Sequence, residues 1–428
     1  MKPVITIYCH EVSARLRYIT SWMAEQFFGT SCELITAIDS NRHYSALINY
    51  STVTIEQAHV QIKPNGLLNE TSIREIDMDM HEWNGMPIFF RDEYEDWPFD
   101  IFSAAFYLLS RYEEYLPYTP DLYQRFPEKQ SLAFRVQFLN RPLIDEWMMA
   151  FRNMLESKTS CRWTAPEFRF LPTYDIDMAY SLKAKGLQRQ WGGSLKNLIQ
   201  GDFKTLYQRW QVNFMGQKDP FDCFDELDQW HEQYSLAPIY FLLLGKNGPL
   251  DKNCLPNHPL MKQLIERLQT NYAIGIHPSY GSHENEVQRQ HEMRLLKTHR
   301  SRQHYIRFRF PETYRQLIAS GIKEDYSMGY GSINGFRAST AQPFSWFDVA
   351  KNQQEALTIF PFCFMECNSR FEQHQSVTET EKELQHYLQV SQKVGGHLIT
   401  IWHNFSLGSD DTWAGWRSLY LRFLANVR

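Results

Sequence analysis

Two hydrophobic patterns follow one another along the chain. In the first part, short apolar runs such as VITIY at residues 4–8 precede helical stretches such as residues 13–28, which end at a glycine. The stretch WPFDIFSAAFYLLSRYEEY sets large apolar side chains on one stripe and predicts a helix over residues 97–115. A polar connection at residues 158–166 closes this part. We therefore predict a separate N-terminal α/β domain over residues 1–165.

After this connection, short apolar strands alternate with helical segments. The predicted strands are FRFLPTYDIDM, APIYFLLLG, YAIGIHPSY, HYIRF and HLITIWHN. Between them, HPLMKQLIERLQT has helical periodicity, and a later helix is predicted to begin with a capping box of Thr378 and Glu381. Such alternation predicts a parallel α/β barrel or an open α/β sheet over residues 166–428. In barrel enzymes the chemistry lies at the carboxyl ends of the strands.

Composition narrows the class of protein. The 428 residues, 43% of them hydrophobic, suffice for two domains with cores of their own. A formal net charge of −5 argues against a nucleic-acid binder. No apolar run approaches the roughly 20 residues that span a bilayer, and no signal peptide is recognisable. Seven cysteines without CxxC spacing fit a reducing compartment, so we expect a cytoplasmic protein.

The stretch LPTYDIDMAY carries two aspartates, Asp175 and Asp177, in an apolar run typical of a buried strand. Alternate residues of a strand face the same side, about 6.6 Å apart. Two like charges in one space require a cation or a guanidinium nearby. The alternative is that one of the two aspartates only caps the segment that follows.

Histidines end two other apolar strands, His277 in YAIGIH and His403 in LITIWH. Imidazole and carboxylate together suit a divalent cation such as zinc. Either histidine alone would be interpreted as a hydrogen-bonded structural residue. Together with Asp175 and Asp177, they are hard to explain by packing.

With these residues, the second half resembles the polysaccharide deacetylases of carbohydrate esterase family 4, which are metal-dependent N-deacetylases on a distorted (β/α) barrel. TYDID resembles one form of the family's first motif, IHPSYGSH the second, SRQHYIRF the third and TIWH the last. The spacing of the second motif differs, because His283 follows His277 by six residues instead of four. The first half resembles an uncharacterised domain found with such deacetylases in some bacterial proteins.

The resemblance implies a role for each matching residue. Asp175 would be the catalytic base, Arg302 would steady it, and His403 would be the general acid. One divalent ion is implied, zinc first, with cobalt, nickel or iron as alternatives. Its implied ligands are Asp177, His277 and His283. Candidate substrate-binding residues are Tyr280, His304, Tyr326 and Arg337, each with a packing role as the alternative.

The expected activity is hydrolysis of an N-acetyl or other acyl group on a sugar or glycan. Two alternatives stay open at this point. The first is a binding module that recognises glycans without cutting them, because the second and third motifs are altered. The second is an amidase of the same fold that acts on an amide unrelated to sugars. The expected partner is an acetylated sugar or glycan, with no nucleic acid and no membrane span; protein partners cannot be inferred from the sequence.

Overall fold

A computed structural model of the protein describes residues 3–92, 96–183, 203–254 and 256–427. The first half contains a four-stranded sheet with the order β2-β1-β3-β4, in which every pair is parallel, and an antiparallel hairpin, β5-β6. The strands are β1 (Ile5–Cys9), β2 (Cys32–Ile35), β3 (Ala46–Tyr50), β4 (Val60–Ile62), β5 (His81–Trp83) and β6 (Met86–Ile88). The helices are α1 (Ala14–Phe28), α2 (Ile101–Leu109), α3 (Leu132–Arg135) and α4 (Leu143–Lys158).

Local signals explain the ends of helix α1. The Ser13 hydroxyl accepts a hydrogen bond from the Leu16 amide at 3.0 Å, which satisfies one of the free donors of the first turn. The helix ends at Gly29, whose φ of 57° lies in the left-handed region. Both ends agree with the predicted helix over residues 13–28.

The second half is built on a larger sheet with the order β12-β13-β11-β10-β9-β8-β7-β15-β14. All its pairs are parallel except β12-β13. The strands are β7 (Arg169–Ile176), β8 (Ile239–Leu242), β9 (Ala273–Ile276), β10 (Arg300–Ser301), β11 (Glu324–Asp325), β12 (Phe344–Asp348), β13 (Gln353–Ile359), β14 (Phe364–Met365) and β15 (His397–His403). The helices are α5 (Phe203–Phe214), α6 (Phe224–Tyr234), α7 (Pro259–Asn271), α8 (Glu286–Leu295), α9 (Glu312–Ala319), α10 (Val377–Val394), α11 (Asn404–Leu407) and α12 (Trp416–Asn426).

A short stretch of chain connects two strands that lie at or near opposite ends of this sheet. Strand β13 pairs with β11, and β14 pairs with β15 on the far side of the order. Only residues 360–363 separate β13 from β14, so one short stretch reaches both sides. The predicted α/β class with a parallel sheet is confirmed, whereas closure into a barrel stays a prediction.

Three local predictions are wrong or too long. The predicted strand HYIRF is a short 3-10 turn, because Tyr305 and Ile306 have φ values of 59° and 53°, which a strand cannot accommodate. The capping box of α10 is formed by Ser376 and Glu379, since the Ser376 side chain reaches the backbone three residues on. The helix predicted over residues 97–115 is regular only over α2.

The two halves share one hydrophobic core. A single cluster of buried side chains extends through both of them. Tyr18 of α1 donates a hydrogen bond to the Ser345 carbonyl at 2.7 Å, and Trp22 donates to the Pro343 carbonyl at 3.0 Å. The first half therefore packs directly against β12. No helix in the described ranges combines the length and the apolar character that crossing a bilayer requires.

Candidate metal centre

The aspartate pair lies at the carboxyl end of the parallel strands. Asp175 is the penultimate residue of β7, and Asp177 is the first residue after that strand. Strand β15 brings His403 directly opposite Asp175 in register. All three side chains line a cavity of about 250 Å³. The chain thus sets two carboxylates and an imidazole at one edge of the sheet.

Asp175 is held by a fully buried arginine. Arg302 Nη1 donates to Asp175 Oδ1 at 2.8 Å and to the Thr173 hydroxyl at 2.8 Å. Arg302 Nε donates to the Tyr326 carbonyl at 3.0 Å, and the guanidinium lies 4.3 Å from the centre of the Phe241 ring. With 0% and 3% of their side chains exposed, Arg302 and Asp175 form an ion pair away from water. The carboxylate therefore has one fixed orientation.

Two histidines point the same ring nitrogen at Asp177. His277 Nδ1 lies 2.6 Å from the Arg302 carbonyl, and His304 Nδ1 lies 2.8 Å from Asp251 Oδ1. An acceptor at Nδ1 fixes the proton on that atom and leaves Nε2 for another partner. His277 Nε2 is 3.2 Å from Asp177 Oδ1, and His304 Nε2 is 3.7 Å from Asp177 Oδ2.

His403 has the same arrangement from the opposite side. Its Nδ1 lies 2.9 Å from Glu366 Oε1, which also accepts a hydrogen bond from the His403 backbone amide at 2.7 Å. The Cys367 thiol is 3.5 Å from the same nitrogen. His403 Nε2 is 3.6 Å from Asp177 Oδ2. One carboxylate therefore faces the Nε2 atoms of three anchored imidazoles.

These charges shift the pKa values in the protein without a metal. Burial would raise the pKa of Asp177, but His304, His277 and His403 outweigh it and hold the pKa well below its ordinary value. Burial would lower the pKa of His304, yet Asp177 and Asp251 raise it to about 9. For His403, Cys367 and Glu366 likewise overcome burial and raise the pKa well above the ordinary value. Positive charge beside Asp177 is strongly favoured.

A divalent cation fits this arrangement. One ligand atom from each of Asp177, His277 and His304 lies within 4.8 Å of the others. Asp177 Oδ1 is buried and has no partner with hydrogen-bond geometry among the described residues, although His277 Nε2 is close. A neutral imidazole with its proton on Nδ1 presents a lone pair at Nε2, so two acceptors face each other there. A cation between them satisfies both, and one carboxylate with two imidazoles is a donor set typical of zinc.

His283 lies outside this group. Its Nε2 is 2.9 Å from the Thr313 hydroxyl, and its Nδ1 has no partner among the described residues. Burial, with a smaller effect of nearby arginines, lowers the pKa of His283 to about 4. His283 does not line the cavity. The six-residue spacing from His277 leads it to another part of the protein, and His304 lies beside Asp177 in its place.

Of the four candidate substrate-binding residues, only His304 lines the cavity. The Tyr280 ring packs against the Arg307 guanidinium, whose carbon atom lies 4.0 Å from the centre of the ring. The Tyr326 hydroxyl donates to Glu324 at 2.9 Å, and its ring stacks on the half-buried ring of Phe360. Arg337 is 1% exposed and forms an ion pair with Glu114 at 2.5 Å. Tyr326 and Arg337 are buried by these partners, whereas Tyr280 is half-buried and its ring lies edge-on to that of Tyr305, so substrate contact by these three residues stays a prediction.

Several residues of the site escaped the sequence interpretation. Asp251 orients His304, and Glu366 orients His403. Each of these acids follows a short apolar stretch of sequence, which is only a weak indication of a functional residue. Tyr123 and Arg125 come from the first half of the chain and line the cavity. No local pattern in DLYQRF connects them with residues so distant in sequence.

One family model and one solved structure resemble parts of this chain. Residues 5–160 match a family of unknown function, DUF7033. No curated protein matches the chain. A solved structure, provisionally described as a polysaccharide deacetylase from Mycobacterium smegmatis, is 12% identical, with 62% of this chain and 86% of that chain covered and a TM-score of 0.39.

Proposed function

We propose that the cavity is the active site of a metal-dependent hydrolase that removes an acyl group, an N-acetyl group first, from a sugar or glycan. One observation carries the proposal: three imidazoles, each anchored through Nδ1, direct Nε2 at the single carboxylate of Asp177. A structural histidine needs one good partner, and three of them have no packing reason to converge. A second carboxylate, Asp175, lies beside this group.

The metal ligands in this proposal are Asp177, His277 and His304. A zinc ion bound there supplies Lewis-acid activation of the acyl carbonyl and of water. Asp251 and the Arg302 carbonyl orient the two imidazoles from behind, as second partners of metal ligands do. His283, the ligand implied by the family motif, is replaced by His304.

Asp175 and His403 divide the proton transfers. Asp175 accepts a proton from the attacking water, and Arg302 orients that carboxylate through its hydrogen bond to Oδ1. His403 gives a proton to the leaving nitrogen as the C–N bond breaks, which yields the free carboxylic acid and the sugar amine. The raised pKa of His403 suits this role, because a general acid must hold its proton before the transfer.

The walls of the cavity suit a sugar ring. The aromatic rings that line it are Tyr123, Tyr305, Phe371 and Phe405. Flat apolar faces of this kind can stack on pyranose rings. We further propose that the large sheet closes into a distorted barrel through the short connection between β13 and β14, which sets the cavity at the mouth of the barrel.

The test is hydrolysis of N-acetylglucosamine oligomers and O-acetylated sugars by zinc-loaded protein. We expect Asp175→Asn and His403→Ala each to lower kcat by about 10²–10⁴-fold. A matched control is Asp348→Asn, since Asp348 is also buried and pairs with an arginine, Arg315, at 2.7 Å, but lies outside the cavity.

Three outcomes would overturn the proposal. Full activity of either active-site variant would contradict the assigned proton transfers. Purified protein that holds no metal and gains no thermal stability from zinc, cobalt or nickel would instead be a glycan-binding module. Turnover of simple amides in place of acetylated sugars would identify an amidase.

A further inference from the structure

The turn that carries His304 has an unfavourable backbone. The two residues that follow it, Tyr305 and Ile306, both lie in the left-handed region, with φ values of 59° and 53°. Neither is a glycine, and isoleucine is branched at Cβ, so the conformation is costly. Strained turns of this kind persist only where surrounding contacts hold them, and they concentrate at functional sites.

A loop from the first half of the chain holds this turn. Arg125 Nη1 donates a hydrogen bond to the Tyr305 carbonyl at 2.8 Å. The Tyr123 ring stacks on the Tyr305 ring, with 5.0 Å between centres and 26° between planes. Arg125 is only 6% exposed, and its guanidinium lies 4.9 Å from the centre of the Tyr123 ring. The backbone and the side chain of Tyr305 are thus both fixed by residues 121–125.

The loop is itself preorganised. Asp121 Oδ1 accepts hydrogen bonds from the backbone amides of Tyr123 and Arg125, at 2.9 and 2.8 Å. Asp121 Oδ2 accepts from Arg125 Nε at 2.7 Å, which fixes the guanidinium before it meets the turn. Gly331 closes the other side: a Cβ there would overlap the Arg125 guanidinium and lie 3.0 Å from the Tyr305 carbonyl oxygen. Arg125 therefore has one orientation available.

We propose that Arg125, with Tyr123, is a positioning residue for the metal centre: it fixes the strained turn so that His304 Nε2 faces Asp177. This assigns to the first half of the chain a part in assembling the active site. The inference rests on the proposed function, because it concerns the third metal ligand. Asp251 orients the His304 ring, and Arg125 fixes the backbone from which that ring extends.

The test measures binding of Co²⁺ and Zn²⁺ to the full chain by calorimetry, together with the Co²⁺ absorption spectrum, which reports the ligand geometry. We expect Arg125→Ala to weaken metal binding by about 10- to 100-fold and to change the spectrum. Arg125→Lys keeps one donor and should recover part of the affinity. Gly331→Ala keeps the arginine but displaces it, and should weaken binding as well.

Arg152→Ala is the matched control. Arg152 is 8% exposed, pairs with Glu156 four residues away at 3.1 Å and donates to the Trp163 carbonyl, so it repeats the contacts of Arg125 away from the cavity. We expect it to lower stability and leave the metal affinity and the spectrum unchanged.

The outcomes separate the two proposals. Metal binding by Arg125→Ala that equals that of the unsubstituted protein would overturn the positioning role alone. Equal weakening by Arg125→Ala and Arg152→Ala would also overturn it, since the loss would then follow general stability. If the unsubstituted protein binds neither metal, the proposed function fails, and the positioning role fails with it. If Arg125→Ala does not fold, Arg125→Lys and Gly331→Ala decide.

Discussion

Replacing Arg302 with methionine breaks its ion pair with Asp175 and is the first step of a mutant cycle on that pair. The side chain loses its hydrogen bonds to Asp175, Thr173 and the Tyr326 carbonyl but still fills the space beside Phe241. Removing one partner of a buried pair leaves an uncompensated charge and costs about 3–5 kcal/mol. We expect the free energy of unfolding of Arg302→Met to fall by that amount.

Asp175→Asn and the double variant complete a mutant cycle. Because the asparagine carries no charge, the loss of Arg302 should cost roughly 1.5–3 kcal/mol less in that background, the usual value of a hydrogen bond to a charged group. The assay is urea-induced unfolding with EDTA present, followed by the fluorescence of the 12 tryptophans. EDTA removes any contribution of a bound metal.

The control is Arg315→Met, which breaks a pair of similar length. Arg315 Nε lies 2.7 Å from Asp348 Oδ2, but the Arg315 side chain is 38% exposed, so water can replace it. We expect a smaller loss than for Arg302→Met, because Asp348, although buried, keeps hydrogen bonds from the Ala350 and Lys351 amides at 3.2 and 3.4 Å. If Arg302→Met costs no more than this control, or if the cycle gives no coupling, the reasoning from burial is refuted.

Three further predictions concern other parts of the chain. His304→Ala should abolish the rise in melting temperature that zinc produces, whereas His283→Ala should keep it; the opposite result would restore His283 as the ligand. Burial raises the pKa of Asp145 to about 7, so this carboxyl contributes stability below about pH 4 that is lost as the pH rises towards 7. The comparison is with the Asp145→Asn variant, which has no titratable group at this position. Relative to that variant, the free energy of unfolding should fall by about 1.4 kcal/mol per pH unit over that range and then level off, and a flat difference would contradict this. Gly395→Ala should lower the free energy of unfolding by more than the roughly 1–2 kcal/mol of left-handed strain, because its Cβ would also overlap a backbone carbonyl. Gly321→Ala, which has open space around it, should lose only the stability that corresponds to the strain. Equal melting temperatures of the two variants would exclude the overlap.

Some features of the site follow from sequence because their signals are local. Helix α1 has its cap and its terminal glycine within the stretch that forms it. Asp175, His277 and His403 each end an apolar strand, and parallel strands bring their carboxyl ends to one edge. The sequence therefore predicts that these three side chains lie close together, and all three line the cavity.

Other features depend on contacts between distant segments. His304 lies beside Asp177 on a turn in which Tyr305 and Ile306 adopt left-handed conformations, and neither residue type signals such a turn. The sequence of HYIRF therefore predicts a strand where the structure has a turn. Arg125 lies 180 positions before the carbonyl that it contacts. Spacing alone also favoured His283, whose actual partner, Thr313, lies on another helix.

The pairing of β7 with β15 has a consequence for how the protein is made. Asp175 lies beside His403 in register, yet His403 is synthesised 228 positions later. At 5–20 residues per second, the ribosome needs roughly 10–45 s to cover that distance. Throughout that interval one edge of β7 is unpaired, and Asp175, the proposed base, lacks His403, the proposed acid. The proposed active site is therefore incomplete until the last strand pairs with β7, and the unpaired edge of β7 is open to aggregation during the same interval.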